Sequence, residues 1–154
     1  LCKYPPLGNR GVGVGRAQGY GNTFSEYLKV ANDRIACIVQ IEDELAVENA
    51  GLISAVEGVD ALFIGPYDLS MSMGIPGEFT HERIKKIIRR IPEQISRETW
   101  LGILSTNTET ISKYARLGYT LLACGLDSQL INEGAGQLPV DDAGEDGWHG
   151  LDAT

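Results

Sequence analysis

The sequence contains no apolar run long enough to span a bilayer. Its longest runs, such as residues 36–39 and 121–124, are strand length against the ~20 residues a transmembrane helix needs. Basic residues are also short, 13 against 21 acidic for a formal charge of −8, so a nucleic-acid backbone or an anionic membrane surface is repelled on balance. The expected partner is a small molecule or a protein. Histidine is scarce: His81 stands beside a helix start and His149 in the C-terminal segment, which leaves no evident Ser-His or Cys-His pair. None of the five lysines (Lys3, Lys29, Lys85, Lys86, Lys113) ends an apolar strand, where burial depresses an amine pKa for Schiff-base chemistry. Cysteines number three, an odd count. Cys37 and Cys124 fall inside apolar strand-like runs where buried reduced thiols sit, and a reducing, cytoplasmic compartment is the expectation. No charged-then-apolar leader opens the chain, which begins at Leu1, so the start is expected to be internal to a longer polypeptide.

What is present is an ordinary globular composition, 43% hydrophobic and 22% charged over 154 residues, enough for one core. A β-branched run, Ile35-Ala-Cys-Ile-Val-Gln-Ile41, is followed by acidic residues and then Leu45, Val47, Ala50, Leu52 and Ile53 at broadly helical spacing. Ala61-Leu-Phe-Ile-Gly-Pro66 reads as a second, buried strand, followed by a long Gly/Pro/Met connection. Ile84, Ile87, Ile88, Ile91 and Ile95 then mark a helix that Thr80 can cap. Lys85, Lys86, Arg89 and Arg90 form its solvated side. A third strand, residues 100–104, leads through Ser105-Thr-Asn-Thr108 into a helix that stops at Leu117-Gly118. A fourth strand, 119–124, precedes a short helix around 129–133. Four consecutive βα units with largely apolar strands imply a parallel sheet covered by helices.

In such folds the ligand sits at the carboxyl ends of the strands. Those ends read Gln40-Ile-Glu42, Gly65-Pro-Tyr-Asp68, Gly102-Ile-Leu-Ser105 and Cys124-Gly-Leu-Asp127, three of them delivering an acid to one rim. Glu42 and Asp68 admit three roles at this point: a carboxylate pair for a hard divalent cation such as Mg²⁺, a general acid/base pair, or caps for the helices that follow. Asp127, followed by Ser128, reads as a cap. The glycine-rich stretch Gly11-Val-Gly13-Val-Gly15-Arg16 is not a dinucleotide loop. It follows two prolines and not a strand, and Arg16 stands where the third glycine belongs. It reads as a close-fitting loop at the rim, with Arg10 or Arg16 either meeting an anion or serving structure.

Taken together, Lys3-Tyr-Pro-Pro-Leu-Gly-Asn-Arg-Gly-Val-Gly13, Val39-Gln-Ile-Glu42, Gly58-Val-Asp-Ala-Leu-Phe-Ile-Gly-Pro-Tyr-Asp-Leu-Ser70 and Met73-Gly74 closely resemble the HpcH/HpaI aldolase family, in the family's order and from the first residue to about Gly136. The resemblance implies an α/β fold, the C-terminal half of a (β/α)₈ TIM-type barrel of the phosphoenolpyruvate/pyruvate-binding kind. It further implies a class II, metal-dependent aldolase that cleaves or forms 4-hydroxy-2-oxo acids through a metal-bound pyruvate enolate. By matching position, Glu42 and Asp68 are the implied ligands of Mg²⁺, Mn²⁺ or Co²⁺, with Gln40 near the pyruvyl group and the backbone of Gly65 and Pro66 on its carboxylate. Leu104 is implied to line the pocket. Leu126 matches a position contributed across a subunit interface, so a homo-oligomer, a trimer or hexamer, is implied.

The partners so implied are a 2-oxo acid, pyruvate or oxaloacetate, and an acceptor, with no nucleic acid and no membrane. Macrophomate synthase resembles the same family, so an alternative is a synthase that decarboxylates oxaloacetate and adds the enolate to a 2-pyrone. An alternative of another class is an inactive barrel half that serves assembly. The family's substrate-binding arginine and base-associated histidine belong to the first half of the barrel and match nothing in this sequence. Residues 1–137 are therefore expected to be half of an aldolase barrel. Residues 138–154, with Asp141, Asp142, Glu145, Asp146, Asp152 and no Lys or Arg, are expected to be an acidic, flexible tail. That segment holds five of the net negative charges, so the acidic balance says little about the substrate.

Overall fold

The computed structural model describes residues 1–137; the expected acidic tail, 138–154, lies outside the described residues. A short 3₁₀ segment, Arg16–Gly21, leads into α1 (Phe24–Arg34). The βα units follow as β1 (Ile38–Ile41), α2 (Glu44–Glu48) and α3 (Ala50–Ser54), then β2 (Ala61–Ile64), α4 (Pro66–Ser72) and α5 (Glu82–Gln94). β3 (Trp100–Ser105), α6 (Thr108–Arg116), β4 (Leu121–Cys124) and α7 (Asp127–Gly136) complete them. The four strands form one parallel sheet in the order β1-β2-β3-β4, in register Ile41↔Ile64↔Ile103↔Leu122. Among the described residues no helix is long and apolar enough to cross a membrane.

One face of the sheet carries the core. Ile41, Leu62, Ile64, Leu101 and Ile103 are buried there with Leu69 and Met73 of the α4 region, Ile84, Ile88 and Ile91 of α5, and Tyr119. The i, i+4, i+7 isoleucines of α5 thus form the seam that closes on the sheet. Pro92 sits inside this helix and cannot donate to the carbonyl four residues back, that of Ile88. The buried Tyr119 hydroxyl donates to that carbonyl instead, at 3.0 Å. Burial pushes the Tyr119 phenol well above its ordinary value, and the neighbouring Tyr114 in the same direction.

Several sequence expectations shift. β1 begins at Ile38, not Ile35, because α1 runs to Arg34 and residues 35–37 are its exit. The helix expected across residues 45–53 is broken at Asn49 into α2 and α3. The Asn49 side chain donates to the Leu45 carbonyl at 2.8 Å, a local bond that competes with helix continuation. Leu45 and Leu52 consequently face solvent. The expected connection after β2 contains a helix, α4, started by Pro66 at its first position with Gly65 as N-cap. The buried Ser70 ties α4 to the next loop, donating to the Tyr67 carbonyl at 2.6 Å and accepting from Gly77 N–H at 2.9 Å. His81, not Thr80, caps α5, its Nδ1 accepting from Arg83 N–H at 3.2 Å. The expected stop at Leu117-Gly118 is present: Gly118, at φ 101°, takes a conformation that a side chain opposes. Cys124 is exposed and Cys37 half-buried, since they stand at strand ends and not within them.

Candidate active site at the carboxyl rim

Gln40 and Glu42 lie two residues apart on β1 and its continuation, so their side chains share one face. Gln40 Nε2 donates to Glu42 Oε1 at 2.6 Å, which fixes the carboxylate's orientation. The adjacent strand brings Gly65 alongside: its N–H donates to the Ile41 carbonyl at 3.2 Å. A Cβ at Gly65 would lie 2.8 Å from Glu42 Oε1, closer than such atoms pack, and 3.0 Å from Glu42 Cγ, so the Glu42 side chain would have to shift. Glycine is therefore the residue that admits Glu42 to this place. Three residues on, Asp68 stands exposed in the first turn of α4, where the helix N-terminus favours negative charge.

The capping alternative for Glu42 is overturned, because Asp43 does that work: its carboxylate accepts from Ala46 N–H at 2.7 Å at the start of α2. Asp68 is not an N-cap either, since Gly65 occupies that position. Asp127 also departs from its expected role. Leu126 is the N-cap residue of α7, and Asp127 is the first helical residue, accepting from Ser128 N–H at 2.8 Å. β4 is the far edge of the sheet from β1, so the third rim acid is remote from the first. Of the other expected site residues, Pro66 is buried at the start of α4, Leu104 is half-buried near the end of β3, and Leu126 is 55% exposed.

Sequence reasoning missed the contact between Gly65 and Glu42. The Gly-Pro pair that follows β2 was its only signal. Arg10 is engaged in part by structure: its guanidinium stands 4.6 Å from the Tyr4 ring centroid and donates from Nη2 to Tyr27 Oη at 3.2 Å, while its buried Nη1 has no hydrogen-bond partner among the described residues. A separate groove of about 570 Å³ between α5 and α6, floored by Ile88, Tyr114 and Leu117, lies on the helical layer away from these carboxylates.

Among the described residues no cluster of three or more His, Cys, Asp or Glu side chains is arranged to hold a metal ion. Mg²⁺ asks for less: one or two carboxylates, with water and substrate oxygens filling the remaining positions. Glu42, pinned by Gln40 and left room by Gly65, and the unencumbered Asp68 match that donor set in number and hardness. The residues present therefore fit a hard divalent cation.

Four parallel βα units with acids at the carboxyl rim match part of a TIM-type barrel. The chain belongs to the HpcH/HpaI aldolase/citrate lyase family, whose model matches residues 1–133. It is 41% identical over 140 residues to a 4-hydroxy-2-oxo-heptane-1,7-dioate aldolase of Escherichia coli, covering 88% of this chain and 53% of that protein. To a hydroxypyruvate/pyruvate aldolase of Delftia acidovorans it is 39% identical over 136 residues, covering 86% and 50% respectively. Among solved structures, an HpcH/HpaI aldolase/citrate lyase family protein from Burkholderia cenocepacia superposes with a TM-score of 0.76 at 31% identity, covering 88% of this chain and 55% of that one. Macrophomate synthase superposes with a TM-score of 0.63 at 19% identity, covering 88% of this chain and 51% of that one, a likeness of fold alone. The chain spans about half the length of the curated relatives it matches.

Proposed function

We propose that this chain is the metal-bearing half of a divalent-cation-dependent carbon–carbon lyase that cleaves or forms 4-hydroxy-2-oxo acids, with pyruvate as product or nucleophile. The observation that carries the reading is the Gln40–Glu42–Gly65 arrangement, an oriented carboxylate beside the helix start that bears Asp68. The relatives' names supply the substrate class.

Glu42 and Asp68 hold the cation, Mg²⁺ or its substitutes Mn²⁺ and Co²⁺. When bound, it supplies positive charge against which an enolate can accumulate. Gln40 keeps Glu42 turned toward the rim, an orienting role of the kind that tunes metal sites. Gly65 and Pro66, at the start of α4, place the substrate's carboxylate against that helix start; the Gly65 N–H is spent on the Ile41 carbonyl and proline has none, so the donors are the N–H groups of the first turn that follows. Leu104 contributes apolar wall. Leu126, exposed at the start of α7, serves the site of a neighbouring subunit in a homo-oligomer, and further βα units of a longer polypeptide pair with the open edges of β1 and β4.

The test is calorimetric Mg²⁺ binding and a pyruvate-release assay on the complete polypeptide, with Glu42→Ala and Asp68→Ala beside it. Expected are measurable cation binding and aldol cleavage, with activity falling by about 10²–10³-fold in either variant. Full activity after chelation, or in both variants, overturns the reading. Oxaloacetate consumed only with a pyrone acceptor favours the synthase chemistry, and no cation or pyruvate binding favours an assembly role.

A further inference from the structure

At the opposite end of β1 from Glu42, two thiols meet. Cys2 Sγ lies 3.6 Å from Cys37 Sγ, although the residues are 35 apart in sequence. Both backbones are anchored next to the sulfurs. The Cys37 N–H donates to Asp60 Oδ2 at 2.6 Å, and its carbonyl accepts from Asp60 and Ala61 N–H at 3.0 and 3.2 Å. Two residues beyond Cys2, Tyr4 N–H donates to Asn32 Oδ1 at 2.7 Å, and Asn32 Nδ2 donates back to the Tyr4 carbonyl at 3.0 Å. Arg10 N–H closes the loop on the Lys3 carbonyl at 2.9 Å. The approach of the sulfurs is thus held by the fold on both sides.

We propose that Cys2 and Cys37 are a modification site, a reversible disulfide formed by exchange with a low-molecular-weight disulfide and tying the segment before α1 to the amino end of β1. Cys2 is exposed and Cys37 half-buried. Burial, together with the neighbouring Cys2 sulfur, pushes the Cys37 thiol up, so Cys2 is the first to attack. The Cys2 thiolate displaces one thiol from the small disulfide and forms a mixed disulfide. The Cys37 thiolate, its proton passed to solvent, then attacks the Cys2 sulfur and expels the second thiol. Two protein thiols are oxidised, and one small disulfide is reduced to two thiols. Cys124, exposed at the carboxyl end of β4 with its sulfur 3.8 Å from the Leu122 carbonyl, serves as the internal control. The pair stands five residues from Glu42, about 16 Å along the strand, so closure touches stability and not the rim chemistry.

The test incubates the folded complete polypeptide with oxidised glutathione and maps cysteine peptides without reduction. Expected are a linked Cys2–Cys37 peptide with no lasting glutathione on either residue, a glutathione adduct on Cys124, and full reversal by dithiothreitol. Cys37→Ser is expected to retain glutathione on Cys2, and the oxidised wild type to melt at a higher temperature than the reduced one while Cys2→Ser does not shift. A lasting adduct on Cys2 in the wild type, or free thiols at both positions after incubation, overturns the proposal.

Discussion

Along β2 and β3, Leu62, Ile64, Leu101 and Ile103 are removed from solvent against the helices, whereas across the same sheet Ile38 and Trp100 retain 49% and 65% exposure. The register explains the contrast. Ile38, Ala61 and Trp100 are neighbours on one face, as are Gln40, Phe63 and Gly102, while Val39, Leu62 and Leu101 face the other way. The face under the helices is apolar until Ser105 at the end of β3, and it holds the strands together. The opposite face mixes aliphatic, aromatic and amide side chains and ends at Glu42. One strand therefore serves two purposes: Ile41 is fully buried in the core, while Gln40 and Glu42, its flanking residues, are free to form a polar pair. Division of labour by alternation lets the rim carry charge without burying it.

Substitutions on each face can break this contrast or sharpen it. Ile103→Ala, on the helix-covered face, is expected to have the largest effect. It leaves a cavity at a fully buried position and costs about 2–5 kcal/mol, read as a lower denaturation midpoint in urea. Gly65→Ala, on the open side of the rim, is expected to push Glu42 from its place. Cation affinity falls by roughly 10–100-fold in calorimetry while the far-ultraviolet circular dichroism spectrum is retained.

Tyr119→Phe is next, at about 1–3 kcal/mol, because the Ile88 carbonyl that Pro92 cannot serve loses its partner. That variant also carries a pH signature. Burial raises the Tyr119 and Tyr114 phenols, so the folded chain keeps protons that the unfolded chain releases. Their contribution to stability is complete below the ordinary phenol value of about 10 and is lost as pH rises beyond it. Alkaline unfolding followed by circular dichroism is expected to be less steep in Tyr119→Phe. The smallest effect is expected for Glu44→Ala, which removes a half-exposed pair with Arg83 at 2.5 Å and costs below about 1 kcal/mol in urea unfolding at low salt.

Much of the fold was legible because its signals are local. The four strands stand out as short apolar runs, and the isoleucine spacing of α5 reports one buried helical face. α4 was hidden since its start, Gly65-Pro66, and its exit, Gly74 through Gly77, carry turn residues, although proline at a first helical position is a start signal. The break at Asn49 depended on one side chain reaching back to the Leu45 carbonyl. At the rim, Glu42 and Asp68 were legible as acids that follow strands. Which acid caps a helix was not, because Asp43 and Glu42 are adjacent and only the path of the backbone assigns the cap to Asp43.

The order of the βα units and the delivery of acids to strand ends follow from the sequence alone, since hydrophobic periodicity and punctuation act over a few residues. The tertiary structure alone decided which distant atoms meet: Gly65 against Glu42, the Tyr119 hydroxyl on the Ile88 carbonyl, and the Cys2 sulfur beside that of Cys37. Those meetings depend on strand register and on the packing of helices across the sheet, and both are set by the summed burial of side chains far apart in the chain.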